Sequence, residues 1–140
     1  DIIGLMFVTS LNSILLVFLG RRIGLCLPAA VFSAFLFAFH PINNETVNYV
    51  SSRSESLSAL YMLCALISYM VLRSSAKLNL MLYGTSVVCF GLSLLSKSVG
   101  LMLIPILLFY EWTFFVRQGV RSSCKLLVPF YAVGICYVFK

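Results

Sequence analysis

The sequence has 140 residues; 61% of them are hydrophobic, 10% are charged, and the formal net charge is +6. Soluble globular proteins average roughly 45–50% apolar and about 25% charged residues, so this composition excludes an ordinary soluble domain. A soluble helical bundle would also need polar outer faces, which the long apolar runs lack. The composition therefore indicates an integral membrane protein, and we expect an all-α, polytopic bundle of transmembrane helices.

Charged or polar clusters divide the chain into six apolar runs. Most of them approach the length of about 17–25 residues that a bilayer-crossing helix needs, although the third is short. We predict spans at residues 2–20, 23–39, 57–72, 78–96, 99–116 and 126–139. The sequence does not begin with Met and its last run stops at residue 140, so we expect residues 1–140 to be a fragment of one larger transmembrane domain.

The positions of lysine and arginine predict the orientation of these spans, because short cytoplasmic loops accumulate positive charge. One alternate set of connections holds Arg21, Arg22, Arg73, Lys77, Arg117, Arg121 and Lys125. The other set holds Arg53, Lys97 and Lys140. We therefore expect residues 40–56 and Lys97 on the exoplasmic face, which is lumenal or periplasmic. Glu111, near the cytoplasmic end of the fifth span, is expected to be a solvated or snorkelling end residue.

The positive charge is explained by topology and by attraction to anionic lipid headgroups. No cluster of Lys and Arg is interleaved with aromatic residues, so the sequence excludes nucleic acid as a partner. The five cysteines are solitary and form no Cys/His cluster, which supports neither a zinc site nor a disulfide framework. Gly84, Gly91 and Gly100 are predicted to permit close contact between helices.

Residues 40–56 form the longest polar segment in the sequence. Pro41 should end the second span, and Asn43 or Asn44 could cap a new helix. That helix would be amphipathic, and it would lie at the membrane surface or lead into the third span. Glu45 and Glu55 would lie about 15 Å apart along its axis. This separation exceeds the roughly 5–9.5 Å of paired catalytic carboxylates, so the two do not form a dyad by themselves.

Arg53 and Lys97 are the sharper candidates for binding chemistry. A guanidinium presents a fork of donors that suits phosphate, and Lys97 lies between two apolar runs on the same predicted face. A cation close to the apolar part of the membrane is energetically costly unless it is paired with an anion or binds a ligand. A lysine that extends toward the headgroups is the competing explanation for Lys97. His40 alone is weak evidence, because a histidine at a helix end more often bonds the backbone.

Three motifs in order carry a resemblance to a known family. His40-Pro41-Ile42 precedes Glu45, Ser-Arg-Ser-Glu-Ser-Leu-Ser-Ala-Leu fills positions 52–60, and Gly-Leu-Ser-Leu-Leu-Ser-Lys at 91–97 leads to Leu-Leu-Phe-Tyr-Glu at 107–111. This arrangement resembles the membrane domain of GT-C glycosyltransferases. It is most similar to the protein O-mannosyltransferase-like proteins that carry tetratricopeptide repeats, both the enzymes of the endoplasmic reticulum and their bacterial relatives.

The resemblance implies transfer of a sugar from a polyprenyl-phosphate carrier, dolichyl-phosphate mannose in the eukaryotic case, to a protein or glycan acceptor at the exoplasmic face. It implies membrane lipid as a partner and no cofactor, since the lipid-linked donor is a substrate, and it leaves open whether a divalent metal takes part. Arg53 and Lys97 match the family's basic positions and become candidates for binding the carrier's phosphate, so we predict that they approach each other. Glu45, Glu55 and His40 become candidates for contacting sugar or acceptor.

Some family features fall outside the sequence or depart from it. The family often has an acidic residue after the lysine, where this chain has Ser98. The catalytic carboxylate of such enzymes usually belongs to the first exoplasmic loop, which we expect upstream of Asp1, and the repeats are expected downstream of Lys140. The fragment alone is therefore expected to be inactive.

Two other classes of protein stay open at the level of the sequence. A secondary transporter would place ionisable groups near the midplane of the membrane, whereas the charges here lie at the ends of spans. A membrane scaffold without catalytic activity would need no pairing of Arg53 with Lys97. Binding of a polyprenyl-phosphate sugar would distinguish a glycosyltransferase from both alternatives.

Overall fold

The structure is a computed structural model that describes residues 2–40, 50–75, 79–115 and 120–139. These residues form six α-helices and one short 3-10 helix, and no strand occurs among them. The α-helices are α1 (Ile2–Ile23), α2 (Leu27–Phe39), α3 (Val50–Ser74), α4 (Leu80–Ser96), α5 (Leu103–Phe115) and α6 (Val120–Val138). The 3-10 helix (Ser98–Met102) lies between α4 and α5. The prediction of an all-helical fold is confirmed for the described residues.

Local sequence explains where several helices begin. Gly24 has a φ of 101°, which breaks α1 from α2, and Pro28 in the first turn of α2 fits a position where no backbone N–H is needed. The second helix therefore starts later than predicted. At the start of α4, the Asn79 side chain accepts a hydrogen bond of 3.1 Å from the Met81 backbone N–H, a typical N-cap.

The third helix departs most from the predicted spans. It has 25 residues and begins at Val50, so part of the polar segment is continuous with the third span. Of the two alternatives for that segment, the described part fits a helix that leads into the span. The predicted cap at Asn43 or Asn44 lies outside the described residues. In addition, the predicted fifth span is divided into the 3-10 helix and α5.

Two of the described helices are long and apolar enough to cross a membrane, judged by length and composition alone. The qualifying windows are Met6–Ile23 in α1 and Ser54–Ser74 in α3. Only 11% of the first window is buried in the protein, which is far less than a core helix of a soluble protein would have. Large apolar side chains such as Phe35, Phe109 and Trp112 are exposed elsewhere on the surface. These observations support a membrane protein.

Hydrogen bonds between helices define the direction of packing. The Asn12 amide donates to the Ser56 carbonyl and Arg22 donates to the Ser74 hydroxyl, so α1 and α3 run in parallel. In contrast, α3 and α4 run antiparallel, because Ser54 pairs with Ser96 and Ala65 with Ser86. Arg22 and Arg73 therefore lie at the opposite end of the bundle from Lys97, as an alternation of spans requires.

Small polar residues hold α3 tightly against α4. The Ser93 hydroxyl donates to the Ser58 carbonyl at 3.0 Å, and the Ser58 hydroxyl contacts both the Ser93 carbonyl and hydroxyl. Farther along, the Ser86 hydroxyl donates to the Ala65 carbonyl at 2.8 Å. Hydroxyls of this kind let helix backbones approach closely and satisfy their own hydrogen bonds away from water. Beside them, the rings of Tyr69, Phe90 and Phe130 form the aromatic centre of the core.

Gly100 is a glycine at which close packing is required. A Cβ atom there would lie 2.6 Å from the Ser93 hydroxyl and 3.0–3.1 Å from the backbone of Ser93 and Leu94. The same atom at Gly84 or Gly91 would meet nothing within 4 Å among the described residues. The predicted close contact is thus confirmed for Gly100, whereas the described part of the chain shows no such contact at Gly84 or Gly91.

We expect Gly100→Ala to destabilise the protein by about 1–3 kcal/mol, the usual cost of overpacking a tight contact. The matched control is Gly84→Ala, which should be neutral or stabilise by up to about 1 kcal/mol, since alanine favours a helix over glycine. Denaturant unfolding of the purified variants in micelles measures both. Equal stability of the two variants would show that the 3-10 helix does not pack tightly against α4.

Candidate functional site

Lys97 and Glu55 form an ion pair at one end of the bundle. Lys97 caps the C-terminus of α4 in an extended conformation, with φ of −160° and ψ of 146°. Its Nζ atom donates to Glu55 Oε1 on α3. The side chains are 31% and 48% exposed, respectively. The charges are therefore within reach of solvent or of a ligand at the surface of the bundle.

The backbone on both sides of this ion pair is anchored by hydrogen bonds. The Ser96 hydroxyl donates to the Ser54 carbonyl at 3.0 Å, which joins the residues that directly precede Lys97 and Glu55. On the other face of α3, the buried Asn12 amide donates to the Ser56 carbonyl at 3.0 Å. These contacts hold the second turn of α3 against α1 and the last turn of α4. Both side chains of the ion pair thus extend from fixed backbone.

A cavity of about 260 Å³ lies beside the ion pair. It is lined by Glu55, Ser58, Ala59, Met62 and Val99. The first four lie on one face of α3, because residues three or four positions apart are neighbours on a helix. Three of the five lining side chains are apolar, and Glu55 contributes the charge. Lys97 is not among the lining residues, but its ammonium group bonds Glu55 at the edge of the cavity. An apolar part of a ligand could therefore lie in the cavity while an anionic part reaches Lys97 in exchange with Glu55.

The other predicted site residues are only partly within the described region. Glu45 lies outside it. Arg53 lies on α3 two residues before Glu55, but its side chain is outside the described residues, so the predicted approach of Arg53 to Lys97 stays a prediction. His40 follows the last residue of α2 and is exposed, and its backbone N–H donates to the Phe37 carbonyl at 3.4 Å.

Comparison with known proteins gives two informative matches. No protein-family model matches the chain, and no solved structure does. The chain is 33% identical over 94 residues to the human protein O-mannosyl-transferase TMTC3. The aligned region covers 65% of this chain and 10% of that protein. The chain is 32% identical over 104 residues to the Caenorhabditis elegans protein O-mannosyl-transferase F38B6.6, and that aligned region covers 73% of this chain and 14% of that protein. The chain therefore spans only about a tenth to a seventh of the length of these curated relatives.

At the other end of the bundle, Glu111 is buried rather than solvated. The residue is 4% exposed, and its carboxylate accepts hydrogen bonds from the Tyr69 hydroxyl at 2.6 Å and from an Arg73 Nη atom at 2.8 Å. Arg73 Nε also lies 2.7 Å from Glu111 Oε1. The expectation of a solvated or snorkelling end residue was wrong, because a carboxylate with these partners can be removed from water.

The partners of Glu111 were missed because they lie on a different helix. Tyr69 and Arg73 are four positions apart on α3, so they share one face and converge on α5. The spacing of these two residues was visible in the sequence, but the contact of their face with Glu111 depended on the packing of α3 against α5. In the part of the chain that the structure describes, no group of three or more metal-ligating side chains converges on one point.

Proposed function

We propose that the chain is part of the membrane domain of a GT-C protein O-mannosyltransferase of the kind that carries tetratricopeptide repeats. The full-length protein would transfer mannose from a polyprenyl-phosphate carrier to serine or threonine hydroxyls at the exoplasmic face of the membrane. The observation that carries this proposal is the similarity to two proteins that are both named as protein O-mannosyl-transferases.

The geometry around Lys97 supports a site for the carrier. A lipid-linked sugar phosphate needs a cation for its phosphate and apolar surface for its chain. Lys97 supplies an ammonium group at the end of α4, and Ala59, Met62 and Val99 supply the apolar walls of the cavity that its partner Glu55 also lines. In this proposal Arg53 adds a second cation, while Glu55, with Glu45 and His40 in the same segment, contacts the sugar or the acceptor.

The proposed reaction exchanges one glycosidic bond for another. The bond between the anomeric carbon and the phosphate oxygen breaks, and its electron pair stays on the oxygen. The acceptor's hydroxyl oxygen bonds to the anomeric carbon, and its proton passes to a base, which the family resemblance places in another loop. Lys97 would stabilise the negative charge that develops on the departing phosphate, a common and large contribution to catalysis.

The test is a transfer assay with the full-length protein in membranes and a serine-containing and threonine-containing peptide as acceptor. We expect mannose to be transferred from polyprenyl-phosphate mannose and not from nucleotide-linked mannose. A peptide with alanine at each acceptor position is the control. Transfer only from the nucleotide-linked sugar, or no transfer from either donor, would contradict the proposal.

The contacts described do not support the transporter alternative, because the buried ion pair of Arg73 and Glu111 lies near the ends of α3 and α5.

A further inference from the structure

An anion that binds Lys97 must compete with a group of the protein itself. Glu55 already accepts a hydrogen bond from the Lys97 ammonium, and both side chains have substantial contact with solvent. Ion pairs with this much exposure are individually weak. A phosphate could therefore take the place of the carboxylate, but the carboxylate would stay nearby.

We propose that Glu55 is an internal competitor for Lys97 that weakens the binding of lipid-borne phosphate and so promotes release of the used carrier. The inference rests on the proposed function, since it concerns the same site. It assigns Glu55 a role in the affinity for the carrier that is separate from any contact with sugar or acceptor.

The chemistry of the two carrier forms explains why such competition is useful. The donor is a phosphodiester and has one negative charge. After the sugar leaves, the carrier is a phosphomonoester, and such groups have about −1.5 to −2 charges at pH 7. Lys97 should therefore hold the used carrier more strongly than the donor, whereas release of product limits the rate of many enzymes. A carboxylate beside Lys97 opposes that stronger binding in two ways. It repels the negatively charged phosphate, and it can take the place of the phosphate on the Lys97 ammonium.

The structure keeps Glu55 available for this exchange. The hydrogen bond between Ser96 and Ser54 joins the backbone directly before Lys97 and Glu55, so the two side chains stay within reach of each other. Glu55 also lines the cavity and is 48% exposed. The carboxylate can therefore turn toward solvent or the cavity without leaving an unpaired buried charge, the situation that makes breaking an ion pair costly.

The experiment measures binding of three probes to the full-length protein in nanodiscs: polyprenyl phosphate, the uncharged polyprenol and inorganic phosphate. Glu55→Gln removes the charge with little change in shape. We expect this variant to bind polyprenyl phosphate about twofold to fivefold more tightly than the wild type, the range set by a weak exposed ion pair. Affinity for polyprenol should be unchanged. Thr85→Ala, a change at an exposed α4 residue that does not line the cavity, is the control and should change neither affinity.

Equal or weaker binding of polyprenyl phosphate by Glu55→Gln would overturn the inference and leave the proposed function intact. An equal gain for polyprenol would overturn it as well, because the effect would then concern the apolar chain. Wild-type affinity for inorganic phosphate as high as for polyprenyl phosphate would exclude a lipid as the source of the anion. If the wild type bound none of the probes, the inference and the proposed carrier site would both be wrong.

Discussion

Glu111→Ala is expected to lower the free energy of unfolding by about 3–5 kcal/mol, the usual result of removing one partner from a buried ion pair. Glu111 is 4% exposed, and the Arg73 side chain is 13% exposed. Loss of the carboxylate would leave the guanidinium without this buried ionic partner and the Tyr69 hydroxyl without its acceptor. Denaturant unfolding of the purified protein in micelles measures the change.

Two further variants distinguish the loss of stability that comes from breaking the ion pair from the loss that any substitution can cause. Replacing both charged partners, with Glu111→Met and Arg73→Leu together, should recover much of the lost stability, because no buried charge is left alone. Arg21→Ala, which removes an exposed arginine at the same end of the bundle, should change stability by no more than about 0.5 kcal/mol. If Glu111→Ala were as stable as Arg21→Ala, the buried contacts of Glu111 would not stabilise the fold.

Lys97→Ala in the full-length protein is expected to reduce the rate of mannose transfer by about 10²–10³-fold, the effect of removing one group that stabilises developing negative charge. Lys97→Arg should recover only part of the rate, since a planar guanidinium and a compact ammonium differ in geometry. We expect a loss for Arg53→Ala as well if its side chain reaches the same phosphate. Transfer from polyprenyl-phosphate mannose is measured in membranes with equal amounts of each variant.

Arg21→Ala is the matched control for loss of a cation, because Arg21 lies at the end of the bundle opposite Lys97. Its transfer rate should equal that of the wild type. If Lys97→Ala also retained the wild-type rate and donor affinity, Lys97 would not be part of the phosphate site, and a membrane scaffold would become the better account of the chain.

The helices could largely be predicted from the sequence, because apolar runs and their polar boundaries are local signals. The start of α4 follows from Asn79, and the delayed start of α2 follows from Gly24 and Pro28. The extent of α3 was harder to predict. Its first residues are polar, and whether a polar segment joins the next helix depends on what it packs against, here α1 and α4 through Ser54 and Ser56.

The contact between Lys97 and Glu55 was not predicted, although the sequence singled out both residues as candidates. It depends on the antiparallel register of α3 and α4, which the sequence does not reveal. The predicted approach of Lys97 to Arg53 stays a prediction. The ion pair of Glu111 with Arg73 was not predicted, because the apolar residues around Glu111 gave no sign of a polar partner on another helix. Contacts between residues that are distant in the sequence cannot be predicted until the packing of the helices is known.

The most direct test of the account is to ask whether the lipid-linked donor occupies the cavity beside Lys97. A photoactivatable residue is placed at Val99, which lines that cavity, in the full-length protein in membranes. The control position is Thr85, an exposed residue on α4. After illumination with radiolabelled polyprenyl-phosphate mannose, we expect label at Val99 that excess unlabelled polyprenyl phosphate suppresses, and only weak label at Thr85 that it does not suppress. Equal labelling at both positions, unaffected by the competitor, would contradict a carrier site at Lys97.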